Sequence, residues 1–248
     1  MNQPLDVFVI SLADSAARRA RSSELLNDHG VEFEFIDGVD GRKGGHPLLG
    51  RFCADKFLVR HGRPSVPGEA GCYASHYLAW QKCVELNRPI VVFEDDFAVR
   101  DNIKEAFSLL PELMNDYPFI RLEDNGPILH KEVKQLGIYT LSRFLKIPQR
   151  ATCYALAPSA AQAFIKASEE FIYPVDVFIR HQNLHQVPIY GLQPYPVRPA
   201  DPAGDHSEIG NRHRNKGPFW CKLTKLVFKL RNAVMNILTN VRHSLKGR

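Results

Sequence analysis

The sequence predicts an α/β fold on a mostly parallel central sheet, and three observations predict it. The first forty residues read as strand, helix, strand, the spacing of a βαβ unit. "PIVVF" (Pro89 to Phe93) is an unbroken apolar run, rich in β-branched residues, of the kind a strand buried on both faces requires. Helical and extended patterns keep alternating after it. A chain of 248 residues can bury a substantial core, and 44% hydrophobic with 24% charged residues is a globular balance. No apolar run approaches the ~18 residues of a membrane span.

Taken in order, "DVFVISL" is the first strand. Its short apolar stretch has no basic residues ahead of it and no small-residue cleavage site, so it reads as a buried strand of a cytoplasmic protein rather than a leader. "DSAARRARSSELLNDHG" is a helix with Asp14 or Ser15 at its N-cap and Gly30 just past its end. "VEFEFIDGVDG" is a second strand running into an Asp/Gly turn. No GxGxxG follows the first strand, which argues against a dinucleotide site. Residues 42 to 67 suit a long loop with a short helical piece. A helix opens at Pro67, Gly68 and Glu69 and ends near Asn87, and "RPIVVFEDDF" follows as the central strand. "NIKEAFSLLPELMNDY" is a helix interrupted or ended near Pro111. "PFIRLED" and "ATCYALA" are strands, and Ser159 caps the helix "SAAQAFIKASEE". "YPVDVFIRHQ" and "VPIYGLQPYPVRPA" carry weaker signals, and "DPAGDHSEIGNRHRNKG" looks like an exposed loop.

Charge is informative once divided along the chain. Residues 211–248 carry ten Lys or Arg and no acid, which leaves 22 basic against 27 acidic residues before them. The expected organisation is therefore an acidic body, residues 1–210, with a basic tail, 211–248. Five scattered cysteines without a CxxC pair argue against a disulfide framework and a zinc ribbon. Cys72 and His76, four apart, could share a helix face as metal ligands do, but no second such pair accompanies them.

The chemistry concentrates at Glu94, Asp95 and Asp96, directly behind the most apolar strand. Ligands of open α/β sheets bind at the carboxyl ends of strands. Alternation along an extended chain would turn Glu94 and Asp96 one way and Asp95 the other. Two carboxylates on one side suit Mn²⁺ or Mg²⁺, which complete their shells with water and phosphate oxygens. A diphosphate leaving group is the implied substrate; a plain solvated strand end is the alternative.

The ordered blocks "VISLADSAARR", "FIDGVDG", "PGEAGCYASHYLAW", "PIVVFEDDF", "FIRLED", "CYALAPSAAQAF", "YPVD" and "HSEIGNR" resemble glycosyltransferase family 25 of lipopolysaccharide and lipooligosaccharide biosynthesis. The resemblance runs from about Val7 to Arg212. It implies a GT-A-like nucleotide-sugar fold and inverting transfer of a hexose, galactose above all, from a UDP-sugar. It also makes Glu94, Asp95 and Asp96 the counterpart of a DxD metal motif. "FIRLEDNG" departs from the family, where many members carry a more apolar strand with Lys before the Leu.

Around that motif, Ser11, Leu12 and Arg18 stand where the family segment is expected to meet the nucleotide; Arg18 suits a phosphate clamp or a solvated helix face equally, and Arg19 ranks behind it. The resemblance adds Asp37 and Gly41, in a turn that Asp-Gly chemistry alone also explains, and Ser75 and His76 on the substrate side. Asp95 also counts among the substrate contacts. An inverting transfer needs a base for the acceptor hydroxyl, and Asp176, then Glu123, are the acids outside the metal motif. His206 and Ser207 sit in a loop that could close over the donor.

In the tail, Phe219, Leu223, Leu226, Leu230, Val234 and Val241 recur at helical spacing with lysines on the other side. A basic amphipathic helix over residues 216–248 fits an anionic membrane surface, and docking on its own body or a second subunit is the alternative. Nothing resembles a nucleic-acid module, so no nucleic-acid partner is expected. The partners expected are a UDP-sugar and a lipid-linked oligosaccharide, met at the inner face of the cytoplasmic membrane. Two rivals stay open: a non-catalytic membrane-recruited scaffold of the same fold, and a sugar nucleotidyltransferase, the latter disfavoured because no Gly-rich phosphate loop follows the first strand.

Overall fold

A computed structural model describes residues 4–124, 126, 128–200 and 217–245. An eight-stranded sheet holds, in spatial order, β2 (Glu34–Asp37), β1 (Asp6–Ser11), β3 (Ile90–Glu94), β8 (Cys153–Leu156), β5 (Phe119–Arg121), β9 (Tyr190–Gln193), β7 (Tyr139–Phe144) and β6 (His130–Leu136). The pairings of β1 with β2 and β3, and of β5 with β9, are parallel, while β8 and β7 pair antiparallel to their neighbours. Only β8 and β7 therefore run against the common direction, and the mostly parallel mixed α/β sheet expected from sequence is present. A small second sheet pairs β4 (Phe97–Val99) with β10 (Val197–Pro199).

The sheet is buried on both faces because β1 and β3 alternate two apolar sets. Phe8, Ile10, Ile90 and Val92 join one core, with Tyr73 and Trp80 of α3 (Pro67–Leu86) and Phe164 of α5 (Pro158–Ala167). Val7, Val9, Val91 and Phe93 join the other, with Leu26 of α1 (Ala16–Asp28) and Leu110 of α4 (Ile103–Leu113). This parity fixes which helix each residue beyond β3 meets.

Local signals set most boundaries. Ser15 stands at the N-cap of α1, and Gly30 follows its end with φ +55°. At α3, Pro67 occupies the first turn, and Glu69 folds back to accept the Val66 N–H at 3.0 Å. Arg63 braces Glu69 at 2.6 Å. The long loop expected over 42–67 contains more helix than its Gly and Pro content suggests. A 3₁₀ turn spans Pro47–Arg51, and α2 spans Ala54–His61, ending on Gly62 in the left-handed region. Pro111 lies inside α4, which continues to Leu113. Ser159 does not cap α5: Pro158 takes the first position and Ala157 stands before it. The weak segment "YPVDVFIRHQ" is helical, giving α6 (Val175–Arg180) and then α7 (Gln182–His185).

The tail forms α8 (Phe219–Leu245), a single helix that docks on the body. Docking on its own body was one of the two readings of the tail, but the face used is the polar one. Cys221, Asn232 and Thr239 are its buried residues. The expected 201–217 loop, with His206 and Ser207, lies outside the described residues except for Gly217.

Candidate active site

The acid cluster stands where β3 stops. Glu94 ends the strand, and the chain bends at Asp95 and Asp96 instead of continuing extended. Alternation still governs the first two acids. Glu94 shares the parity of Ile90 and Val92 and turns toward α3, where His76 Nε2 lies 3.1 Å from its Oε1 and the Cys72 thiol 3.7 Å from the same oxygen. Asp95 shares the parity of Phe93 and turns toward α1. Its Oδ2 accepts from Ser11 Oγ at 2.6 Å and its Oδ1 from Arg18 Nη1 at 2.9 Å.

Asp95 faces away from Glu94, as alternation predicts, without leaving the site. The cleft sits beyond the strand end rather than on one face, so Glu94, Asp95 and Asp96 all line it. Its ≈ 670 Å³, open mouth included, is also bounded by Ser11, Leu12, Arg18, Gly41, Ser75 and His76. Nine of the residues singled out in the sequence thus converge, although they come from β1 and β3 and the turns after them, α1, the loop after β2, and α3.

Backbone contacts close the cleft wall. Gly38 N donates to Ser11 O at 2.9 Å, tying the loop after β2 to the end of β1. Ser75 Oγ accepts the Val39 N–H and donates to Gly71 O, both at 2.8 Å, so its hydroxyl fixes that loop onto α3. Gly41 and Gly71 make the approach possible. A Cβ on Gly71 would press into Val39 O and Gly41 N, and one on Gly41 into Pro67 O.

The electrostatics are uneven. Arg18 offsets Asp95, whereas Asp96 Oδ1 is buried with no hydrogen-bond partner. Burial, then the charges of Glu94 and Asp95, push the Asp96 carboxyl up to about 7. The Arg18 guanidinium opposes this rise but does not cancel it.

Beneath Glu94 the hydrogen-bond polarity can be read outright. The Trp80 indole N–H can only donate, and it reaches the Tyr154 hydroxyl oxygen at 3.1 Å. Tyr154 is fully buried, and its other polar contact is His76 Nδ1 at 2.9 Å, so its proton goes there. The imidazole proton then lies on Nε2 and donates to Glu94. Cys72, His76 and Glu94 place ligand atoms within 4.8 Å of one another. With the Nε2 lone pair carrying a proton, this trio is a hydrogen-bonded support for Glu94 rather than a metal shell. His76, though 0% exposed, stands in the cleft wall beside Glu94.

The remaining candidates sit elsewhere. Asp37 ends β2 and pairs with Arg19, facing solvent. Glu123 is 0% exposed and pairs with Arg121 at 2.5 Å, its carboxyl raised by burial in spite of that partner. Asp176 occupies the first turn of α6, where it accepts from its neighbour Val177 N at 2.8 Å and from Gln149 Nε2 at 3.1 Å. Neither acid lines the cleft. Sequence reasoning missed Arg42, which lines the cleft and pairs with Asp40 at 2.8 Å, and the Tyr154–Trp80 support. An arginine after an Asp-Gly turn was a legible signal for the first. The second pairs residues 74 apart in sequence and left none.

The acidic, arginine-edged cleft lies at the carboxyl end of a central strand, where open α/β sheets bind their ligands. The family model for "Glycosyltransferase family 25 (LPS biosynthesis protein)" matches residues 5–179, and the chain belongs to that family. "Probable inactive glycosyltransferase 25 family member 3" of Rattus norvegicus is 36% identical over 112 residues, 43% of this chain and 20% of that protein. "Lipooligosaccharide biosynthesis protein lic2B" of Haemophilus influenzae is 32% identical over 96 residues, 38% of this chain and 35% of its own length. A "Putative glycosyltransferase" of the same species, strain Rd, is 30% identical over 134 residues, covering 52% and 45%. The chain thus spans less than half the length of these relatives.

Proposed function

We propose that this chain is an inverting, metal-dependent glycosyltransferase that moves a hexose, galactose in first place, from a UDP-sugar to a lipopolysaccharide or lipooligosaccharide acceptor. One observation carries the reading: Asp96 Oδ1, partnerless and crowded by Glu94 and Asp95, at a cleft edged by Arg18. The donor set fits Mn²⁺ or Mg²⁺, since hard carboxylate oxygens with an unmet need for positive charge are what these ions take. Glu94 and Asp96 would hold the ion with Asp95 beside them, and when bound it would offset the charge of a departing diphosphate.

The chain's own groups have separable tasks in this reading. Arg18, held by Asp95, presents a guanidinium at the cleft edge for phosphate oxygens. The Gly38–Gly41 backbone, pinned by Ser75, shapes the nucleoside side, with Asp37 and Arg19 behind it. His76 donates to Glu94 and holds its carboxylate in place. The acceptor hydroxyl needs a carboxylate within reach, and Asp176 is the partly exposed candidate, with buried Glu123 second.

The Rattus norvegicus relative, named as a probable inactive member, favours a second reading, a non-catalytic scaffold of the same family. Asp96→Asn separates the two. The enzyme reading expects UDP-hexose hydrolysis or transfer with Mn²⁺ in the wild type, lost in Asp96→Asn without a fall in melting temperature. Equal turnover in both would remove the metal role from Asp96. No turnover in either, with no thermal shift from UDP-hexose plus Mn²⁺, would establish the scaffold.

A further inference from the structure

α8 is amphipathic the wrong way round for a helix that covers its own core. At roughly 100° per residue, Cys221, Asn232 and Thr239 fall on one side and Leu223, Leu230 and Val241 on the opposite side. The polar side is the docked one. Thr224 Oγ1 donates to Val59 O at 2.8 Å, Asn236 Oδ1 accepts from Asn183 N at 3.1 Å, and Asn232 Nδ2 donates to the Tyr173 hydroxyl at 3.2 Å. Near the far end Asn240 Nδ2 donates to Phe144 O at 2.9 Å while Arg143 Nε donates to Asn240 Oδ1 at 3.0 Å.

The apolar side faces outward along the whole helix. Leu223, Leu226, Leu230, Val234, Ile237 and Val241, spaced by three or four, are each 50% to 64% exposed. A 27-residue helix is ~40 Å long, so this is a continuous stripe of a size soluble surfaces rarely expose.

What covers it is indicated by the flanks. On the helical wheel Lys222 and Lys229 border the stripe on one side and Arg231 and Arg242 on the other, all exposed, and the segment has no acid. A second copy bringing the same stripe would also bring the same cations against them. An anionic lipid leaflet offers acyl chains to the stripe and phosphates to both flanks. Among the described residues no helix is long and apolar enough to cross a membrane. We infer that α8 lies flat in the surface of an anionic membrane, its asparagine-lined face bolted to the body and its leucine and valine face in the lipid. The device adds to the proposed transfer reaction but does not depend on it.

Vesicle flotation of the full chain, without nucleotide or metal, tests this. Wild type is expected to float with phosphatidylglycerol-containing vesicles, less so at high salt, and not with pure phosphatidylcholine. A Leu226→Gln/Leu230→Gln/Val234→Gln variant, which leaves the docked face intact, should stay unbound. Lys229→Gln/Arg231→Gln should lower the partition coefficient roughly tenfold to thirtyfold. Wild type that ignores anionic vesicles, or a variant set that binds them undiminished, overturns the proposal. So does a lipid-free dimer dispersed by the triple variant in the absence of vesicle binding, which would assign the stripe to a second copy.

Discussion

Glu94 is held from below by a chain of single-proton choices: Trp80 donates to Tyr154, Tyr154 to His76, His76 to Glu94. Tyr154→Phe removes the middle link and leaves the Trp80 N–H buried with no acceptor, a loss of about 1–3 kcal/mol in denaturant unfolding. The freed Nδ1 also lets the imidazole shift tautomer, so if Glu94 holds Mn²⁺ as proposed, Mn²⁺ affinity by calorimetry should fall together with stability. Unchanged Mn²⁺ affinity in a destabilised Tyr154→Phe would reduce the chain to core packing. None of this was legible from residue order, because a lone His four residues before a Trp has no visible partner until β8 brings Tyr154 under α3. The acid cluster was legible, since three carboxylates behind "PIVVF" mark a strand end whatever the rest of the fold does.

At the scale of elements, α3 reaches the loop after β2 only because two glycines face each other. Gly71→Ala would drive a methyl group into Val39 O and Gly41 N, backbone atoms that cannot rotate away. The expected cost is roughly 3 kcal/mol, and the proposed transfer reaction expects UDP-hexose affinity to fall as the wall shifts. A melting temperature within a degree or two of wild type would show that the loop yields freely. Strand and helix identities around this contact followed from periodicity, as did the glycine after α1. The β6–β7 hairpin, β4, β10 and the helical character of "YPVDVFIRHQ" did not. β6 is largely exposed, and the short β4 and β10 are extended mainly because they pair with each other. α8 was read correctly as an amphipathic helix. Which face it would dock was open, because periodicity reports a stripe and not its neighbour.

For the whole molecule, acid stability should be set partly by histidines trapped without charge. His185 is buried, with Nε2 donating to Ile179 O at 2.9 Å and Nδ1 accepting from Val187 N at 3.1 Å, and burial lowers it to about 3. Burial and Arg180 take His181 down to about 4, and His243 stands nearby. Between the ordinary value near 6.5 and about 3, the unfolded chain takes up protons that the native state refuses. Stability is therefore fully present above pH ~6.5 and declines on acidification toward pH ~3. Urea midpoints at neutral and mildly acidic pH should show a drop for wild type that is smaller in His185→Gln. An equal drop in both would move the acid sensitivity to other groups.

By itself the sequence determined that the chain is mixed α/β, that its acids gather behind a buried strand, and that its tail is a basic amphipathic helix. These are properties of short windows, where side-chain period and local charge suffice. Only the tertiary structure decided that Glu94 and Asp95 turn to different helices yet line one cleft, that Asp96 is buried beside two like charges with its Oδ1 unbonded, and that α8 docks by its asparagines. Each of those depends on which distant segment fills the space beside a residue, and nothing in the residue's own neighbourhood encodes that.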